Sequence, residues 1–188
     1  MYCSLIFIHP LYSDAYDDLN DEDAAVATDA YWELILKIGG DDFAAITDED
    51  DSRMLLHWAA ASRASKPMMQ QIIKKHPPAL KKGVANLLPL HLACMTNRLV
   101  AAESLAAAYP AALSMKDKDD KTPFEVIGDK IPFERIGAAP RVSMTDDEKL
   151  SFKRATLRAI IEAHYSNEAV LGYGTEKEVS IYIEYNFQ

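Results

Sequence analysis

Arg53-Met54-Leu55-Leu56-His57-Trp58-Ala59-Ala60-Ala61 is the stretch that decides how this chain is read, because it returns. Leu88-Pro89-Leu90-His91-Leu92-Ala93-Cys94 repeats it, and Thr122-Pro123-Phe124-Glu125-Val126-Ile127 repeats it again with the histidine lost. His57 and His91 stand 34 residues apart, and so do His91 and Glu125. A fixed period of that size means stacked supersecondary units, none of which can bury its apolar face alone.

The three copies divide one motif among them. Thr122 and Pro123 hold a Thr-Pro start; Pro89, Leu90, His91 and Ala93 hold Pro-Leu-His-x-Ala; Leu56, His57 and Ala59 hold Leu-His-x-Ala. Together they resemble the Thr-Pro-Leu-His-x-Ala signature that opens an ankyrin repeat. Tetratricopeptide repeats share the 34-residue period but use two long helices. Pro67, Pro77, Pro78 and Pro110 cut this chain into helices of two to three turns, since proline breaks a helix interior and unsettles the residue before it. Short helices favour the ankyrin resemblance. It implies an all-α fold, a short ankyrin-like helical solenoid with divergent capping ends, to which the chain termini add short β-strands.

The expected organisation runs as follows along the chain. Residues 1–20 form an extended, acidic arm, with a strand-like segment at 2–8. Residues 21–166 form the repeat array: a degenerate unit at 21–46 with two short helices at 24–28 and 29–38, clear repeats at 52–80 and 86–113, and a divergent cap at 117–166. In the first clear repeat the inner helix is expected at 54–63 and the outer at 67–76, with Pro67 at the first helical position, where proline is tolerated. Asn97 falls where the ankyrin pattern has a helix-ending glycine, and Asn accepts the left-handed conformation. A small-residue outer helix is expected at 101–108. Residues 128–143 read as a loop. Thr145 and Glu148 match a capping box for a last helix running to about residue 166. In the tail, 167–188, residues 178–187 alternate apolar and polar side chains like a strand.

Composition narrows the function. The net charge of −9 is uneven: residues 1–52 hold fourteen acids and one base, residues 53–188 fifteen acids and nineteen bases. The acidic N-terminal part would repel phosphate, which argues against nucleic-acid binding there. Two cysteines, Cys3 and Cys94, make no disulfide framework, and no apolar run approaches the roughly 20 residues that span a bilayer. An intracellular, soluble protein of cytoplasm or nucleus is the default expectation.

Candidate chemistry is sparse. His57 and His91 are expected to be structural, because the resemblance has this histidine bond to backbone and to the repeat's threonine. The acidic runs around residues 48–51 and 117–120 lack the central glycine and twelfth-position glutamate of a calcium loop. No nucleophile motif and no phosphate loop is present, so no catalytic residue, metal or cofactor is assigned. The resemblance instead implies a non-catalytic protein–protein interaction module. Its partner would be met by positions after the histidine (Trp58, Ala61, Ser62, Leu92, Met95, Thr96, Val126) and by acidic finger tips (Asp48, Asp50, Asp51, Asp117, Asp119, Asp120). An apolar stripe with acidic edges fits a partner protein that offers an apolar helix with basic flanks. The rival reading is a structural subunit packed into a larger assembly through its terminal segments. The oligomeric state is left open by the sequence.

Overall fold

The computed structural model describes residues 21–39, 55–81, 83, 87–127 and 144–164. Among the described residues are six α-helices, two 3-10 turns and no β-strand, so this part of the chain is all-α. The helices are α1 (Asp21–Gly39), α2 (Leu55–Ala61), α3 (Lys66–Lys75), α4 (Pro89–Met95), α5 (Leu99–Ala108) and α6 (Asp146–His164), and the 3-10 turns are Pro77–Lys81 and Pro110–Ser114. The expected strands at 2–8 and 178–187, the finger at 48–51 and the loop at 128–143 lie outside the described residues.

One sequence of elements occurs twice: a seven-residue helix, a turn, a ten-residue helix and a 3-10 turn. Local chemistry sets each boundary. Ser65 caps α3, its hydroxyl accepting from the Met68 N–H at 3.4 Å. Lys66 is therefore the first helical residue and Pro67 the second, one later than the sequence implies; its missing N–H still belongs to the first turn, where no intrahelical partner exists. Both long helices end on a residue that precedes proline, and that residue is pushed out of the helical region. His76 (φ −144°, ψ 72°) and Tyr109 (φ −146°, ψ 77°) adopt nearly the same backbone despite different side chains.

The turns inside the two units differ. Four residues link α2 to α3 and three link α4 to α5. In the shorter link Asn97 is left-handed (φ 52°), and the Arg98 N–H closes back on the Ala93 carbonyl at 2.8 Å. In the longer link Ser62 takes over. Its hydroxyl donates to the Ala59 carbonyl at 2.8 Å and accepts from the Ala64 N–H at 3.3 Å. That bonding stops α2 at Ala61, short of the expected residue 63.

The two units share one core. α2 packs on α4 and α3 on α5, while α2 meets α3 and α4 meets α5 within each unit. The facing residues are small or slender: Ala59, Ala60, Ala61, Ala93 and Cys94 on the short helices, Ala101, Ala102, Ser104 and Ala106 on α5. Small side chains let helix axes approach to about 8–10 Å. α6 closes the other side of α5, burying Phe152, Thr156, Leu157, Ile160 and Ile161. Its start is the expected capping box: the Glu148 N–H donates to the Thr145 hydroxyl at 3.3 Å, and the Thr145 N–H donates to the Glu148 carboxylate at 2.7 Å.

Two expectations are overturned. Residues 21–39 form one continuous 19-residue helix rather than two short ones. Thr28 does not break it, because its hydroxyl bonds back to the Ala24 carbonyl at 2.7 Å. Asp29, just past the expected break, turns its carboxylate away from the α1 backbone to accept from the Ser65 N–H at 2.8 Å. The third copy of the motif also differs: residues 123–127 form turns, not an inner helix.

Candidate interaction surface

The motif histidines are entirely buried, and His91 shows what that position does. The Leu88 N–H donates to His91 Nδ1 at 3.3 Å, and His91 Nε2 lies 3.2 Å from the Lys121 carbonyl. A backbone N–H can only donate and a carbonyl only accept, so the ring carries its proton on Nε2 and is neutral. Burial holds its pKa below the ordinary value of 6.5, against the opposing pull of the Lys121 carbonyl and the Asp117 charge. Leu88 has no hydroxyl, so the expected bond to a threonine is replaced by bonds to backbone alone. Glu125, in the same register, takes part of the same work: the Thr122 N–H donates to its carboxylate at 2.7 Å.

Through Lys121, His91 fixes the finger that follows the second unit. The Asp117 carboxylate accepts from the Asp119 N–H at 2.8 Å and the Lys121 N–H at 3.0 Å. The Asp117 N–H donates to the Lys121 carbonyl at 2.9 Å, and Asp120 turns the chain with φ 63°. Lys118, Asp119 and Asp120 stand exposed at the tip. The tip is not an acidic edge as expected. Asp117 is buried inside its own loop, and Lys116 pairs with Asp120 at 2.8 Å.

The proposed contact stripe is corrected more sharply. Ala61, Ser62, Leu92, Thr96 and Val126 are buried and cannot meet a partner. α4 is only seven residues long and covered on nearly every side, so the position after its histidine, Leu92, is core; Val126, in the same register of the third copy's turn, is buried too. Thr96 is consumed by its own helix, donating to the Leu92 carbonyl at 2.6 Å. Trp58 and Met95 are half-buried, packed against the core with part of each side chain on the surface. Leu56, Ala59, Leu90 and Ala93 line the shared core and Pro89 opens α4, while Thr122 and Pro123 lead into the third motif copy's turn. Asp48, Asp50 and Asp51 lie outside the described residues.

Sequence reasoning missed two features. Trp32 is fully buried and its indole N–H donates to the Ser62 hydroxyl at 3.1 Å, clasping α1 to the first unit. The partners lie 30 positions apart, and no local pattern links them. On the far side of α1, Val26, Leu34 and Ile38 are 65%, 53% and 72% exposed. Their spacing with Ala30, four residues at each step, is the available signal. Cys94 is buried with its thiol pushed far up by desolvation, which keeps it from acting as a nucleophile. Among the described residues no three His, Cys, Asp or Glu side chains converge as a metal site, and no helix is long and apolar enough to cross a membrane. No family model, no curated protein and no solved structure matches the chain.

Proposed function

We propose that the chain is an ankyrin-like repeat module that binds a protein partner and does no chemistry on it. The observation that carries the reading is the doubled unit. Two short-helix, long-helix, 3-10 segments pack like on like, and a buried neutral histidine ties the second to an ordered, outward-pointing finger. In a solenoid of this kind the repeats form the scaffold and the finger tips with the remaining exposed inner positions meet the partner. The contact surface reduces to Trp58, Met95 and the tip Lys118, Asp119, Asp120. An ordered loop costs little further entropy on binding, and a tryptophan at the centre of a patch fits a hot spot.

The test is affinity capture from cells that express the chain, with mass spectrometry, comparing wild type with Trp58→Ala and with Asp119→Lys. The expected result is a set of proteins retained by wild type and lost, at least tenfold, from both folded variants. Equal retention by all three would remove this surface. A single stoichiometric complex untouched by either change would favour the subunit reading instead.

A further inference from the structure

α1 is held to the rest of the fold by one face, through Trp32 on Ser62 and Asp29 on the Ser65 N–H. Its other face has no described element over it. The residues exposed there are Asp23, Val26, Ala30, Glu33, Leu34, Lys37 and Ile38. Val26, Ala30, Leu34 and Ile38 form a row spaced by four, the ridge along which helices pack on one another.

Five residues of this face are arranged symmetrically about Ala30; Ile38, whose counterpart is Glu22, is not among them. Counted from Ala30, Val26 lies four residues before and Leu34 four after; Asp23 lies seven before and Lys37 seven after. At 100° per residue all five fall within about 80° of the helix circumference. A two-fold axis through Ala30 would set a second α1 antiparallel to the first. Val26 then meets Leu34 of the other copy, the two Ala30 residues face each other at the closest approach, and each Asp23 meets a Lys37 about 10 Å from the axis. A parallel pair would place Asp23 on Asp23 and Lys37 on Lys37. An ionised carboxylate has room for about four donors, so the contact with Lys37 is additional to any bond Asp23 makes within its own chain.

We propose that the outward face of α1 is a self-association surface, joining two copies of this chain antiparallel about Ala30. The contact is isologous, so it closes at two and does not propagate. One helix face falls short of the roughly 800 Å² per partner of a stable complex, and two chains of charge −9 repel. The dimer is therefore weak and concentration-dependent.

Sedimentation velocity on the full chain across a concentration series tests this. The expected result is a reversible monomer–dimer equilibrium. Ala30→Glu, which sets two carboxylates on the axis, should weaken it at least tenfold while leaving the circular dichroism spectrum unchanged. Asp23→Lys alone and Lys37→Asp alone should each weaken it, and the double swap should restore it, a pattern that only antiparallel pairing produces. As an independent measurement, Ala30→Cys in a Cys3→Ser background should form a disulfide dimer on mild oxidation, whereas Ala25→Cys should not. A chain that stays monomeric at every concentration overturns the proposal, whether another segment of the chain or a different protein covers α1. A dimer indifferent to all these changes overturns it equally.

Discussion

The two helical units solve the same turn differently. In the second, Asn97 goes left-handed and three residues suffice; in the first, the Ser62 hydroxyl organises four. The neighbours explain the difference. The first turn receives α1, with Trp32 on the Ser62 hydroxyl and Asp29 on the Ser65 N–H. The second turn reaches back instead, Arg98 Nε donating to the Ala61 carbonyl at 3.2 Å at the end of α2. A turn that must accept an incoming helix is built on a side-chain hydroxyl, while one that only reaches backward can close on its own backbone. At the other end of each unit there is no such difference, because proline fixes the backbone before it whatever the residue.

The largest test of this contrast is Trp32→Ala. It removes a fully buried indole and one of the two donors to the Ser62 hydroxyl, and should cost about 3–5 kcal/mol in denaturant unfolding. A loss below about 1 kcal/mol would mean that α1 is not part of the cooperative unit.

Next comes His91→Ala, which strands the Leu88 N–H, takes one of two donors from the Lys121 carbonyl and should cost about 1–3 kcal/mol. The wild-type pH profile carries the same information. The folded pKa of His91 lies below 6.5, so as pH falls through that value the unfolded chain takes up a proton that the folded ring refuses. Stability is full above that range and declines below it. The His91→Phe variant should lose this part of the acid sensitivity; an unchanged slope near pH 6 would show that the ring is not held neutral.

A smaller effect separates the turns directly. Asn97→Ala should cost about 1 kcal/mol, the penalty of a left-handed alanine, and Asn97→Gly should be close to neutral. Arg63 occupies the corresponding register without a positive φ, so Arg63→Gly should lose about 0.5–1 kcal/mol through backbone entropy. The same response to glycine at both sites would erase the distinction. The smallest effect is expected at Glu103, whose pKa is raised by burial and by Glu162, against the pull of Lys66. Its raised folded pKa adds stability at low pH that is lost as pH rises through it, so Glu103→Gln should slightly raise the melting temperature at pH 7 and not at pH 4.

The features legible in the sequence were those with a local cause. The Thr145 and Glu148 cap, the left-handed Asn97 and the proline-terminated helices each follow from residues within a few positions of one another. What was illegible depended on distant partners. Residues 24–28 and 29–38 look like two helices, whereas α1 is continuous and its Asp29 carboxylate accepts from the N–H of Ser65, 36 positions away. Leu92 looks like a contact residue until the packing around a seven-residue helix encloses it, and Val126 until the turn that carries it proves buried. Trp58, in the register of Leu92, is half-buried instead.

The change from histidine to glutamate in the third motif copy has a directional meaning. Imidazole faces two ways: it accepts from its own helix start and offers a proton forward to the next finger. The Glu125 carboxylate, held below its usual pKa by the Thr122 backbone and hydroxyl, can only accept. It secures the segment behind it and gives nothing to one ahead. Residue 125 thus works as a full stop where residue 91 is a conjunction, and a chain lengthened by another unit at this point would first need Glu125→His.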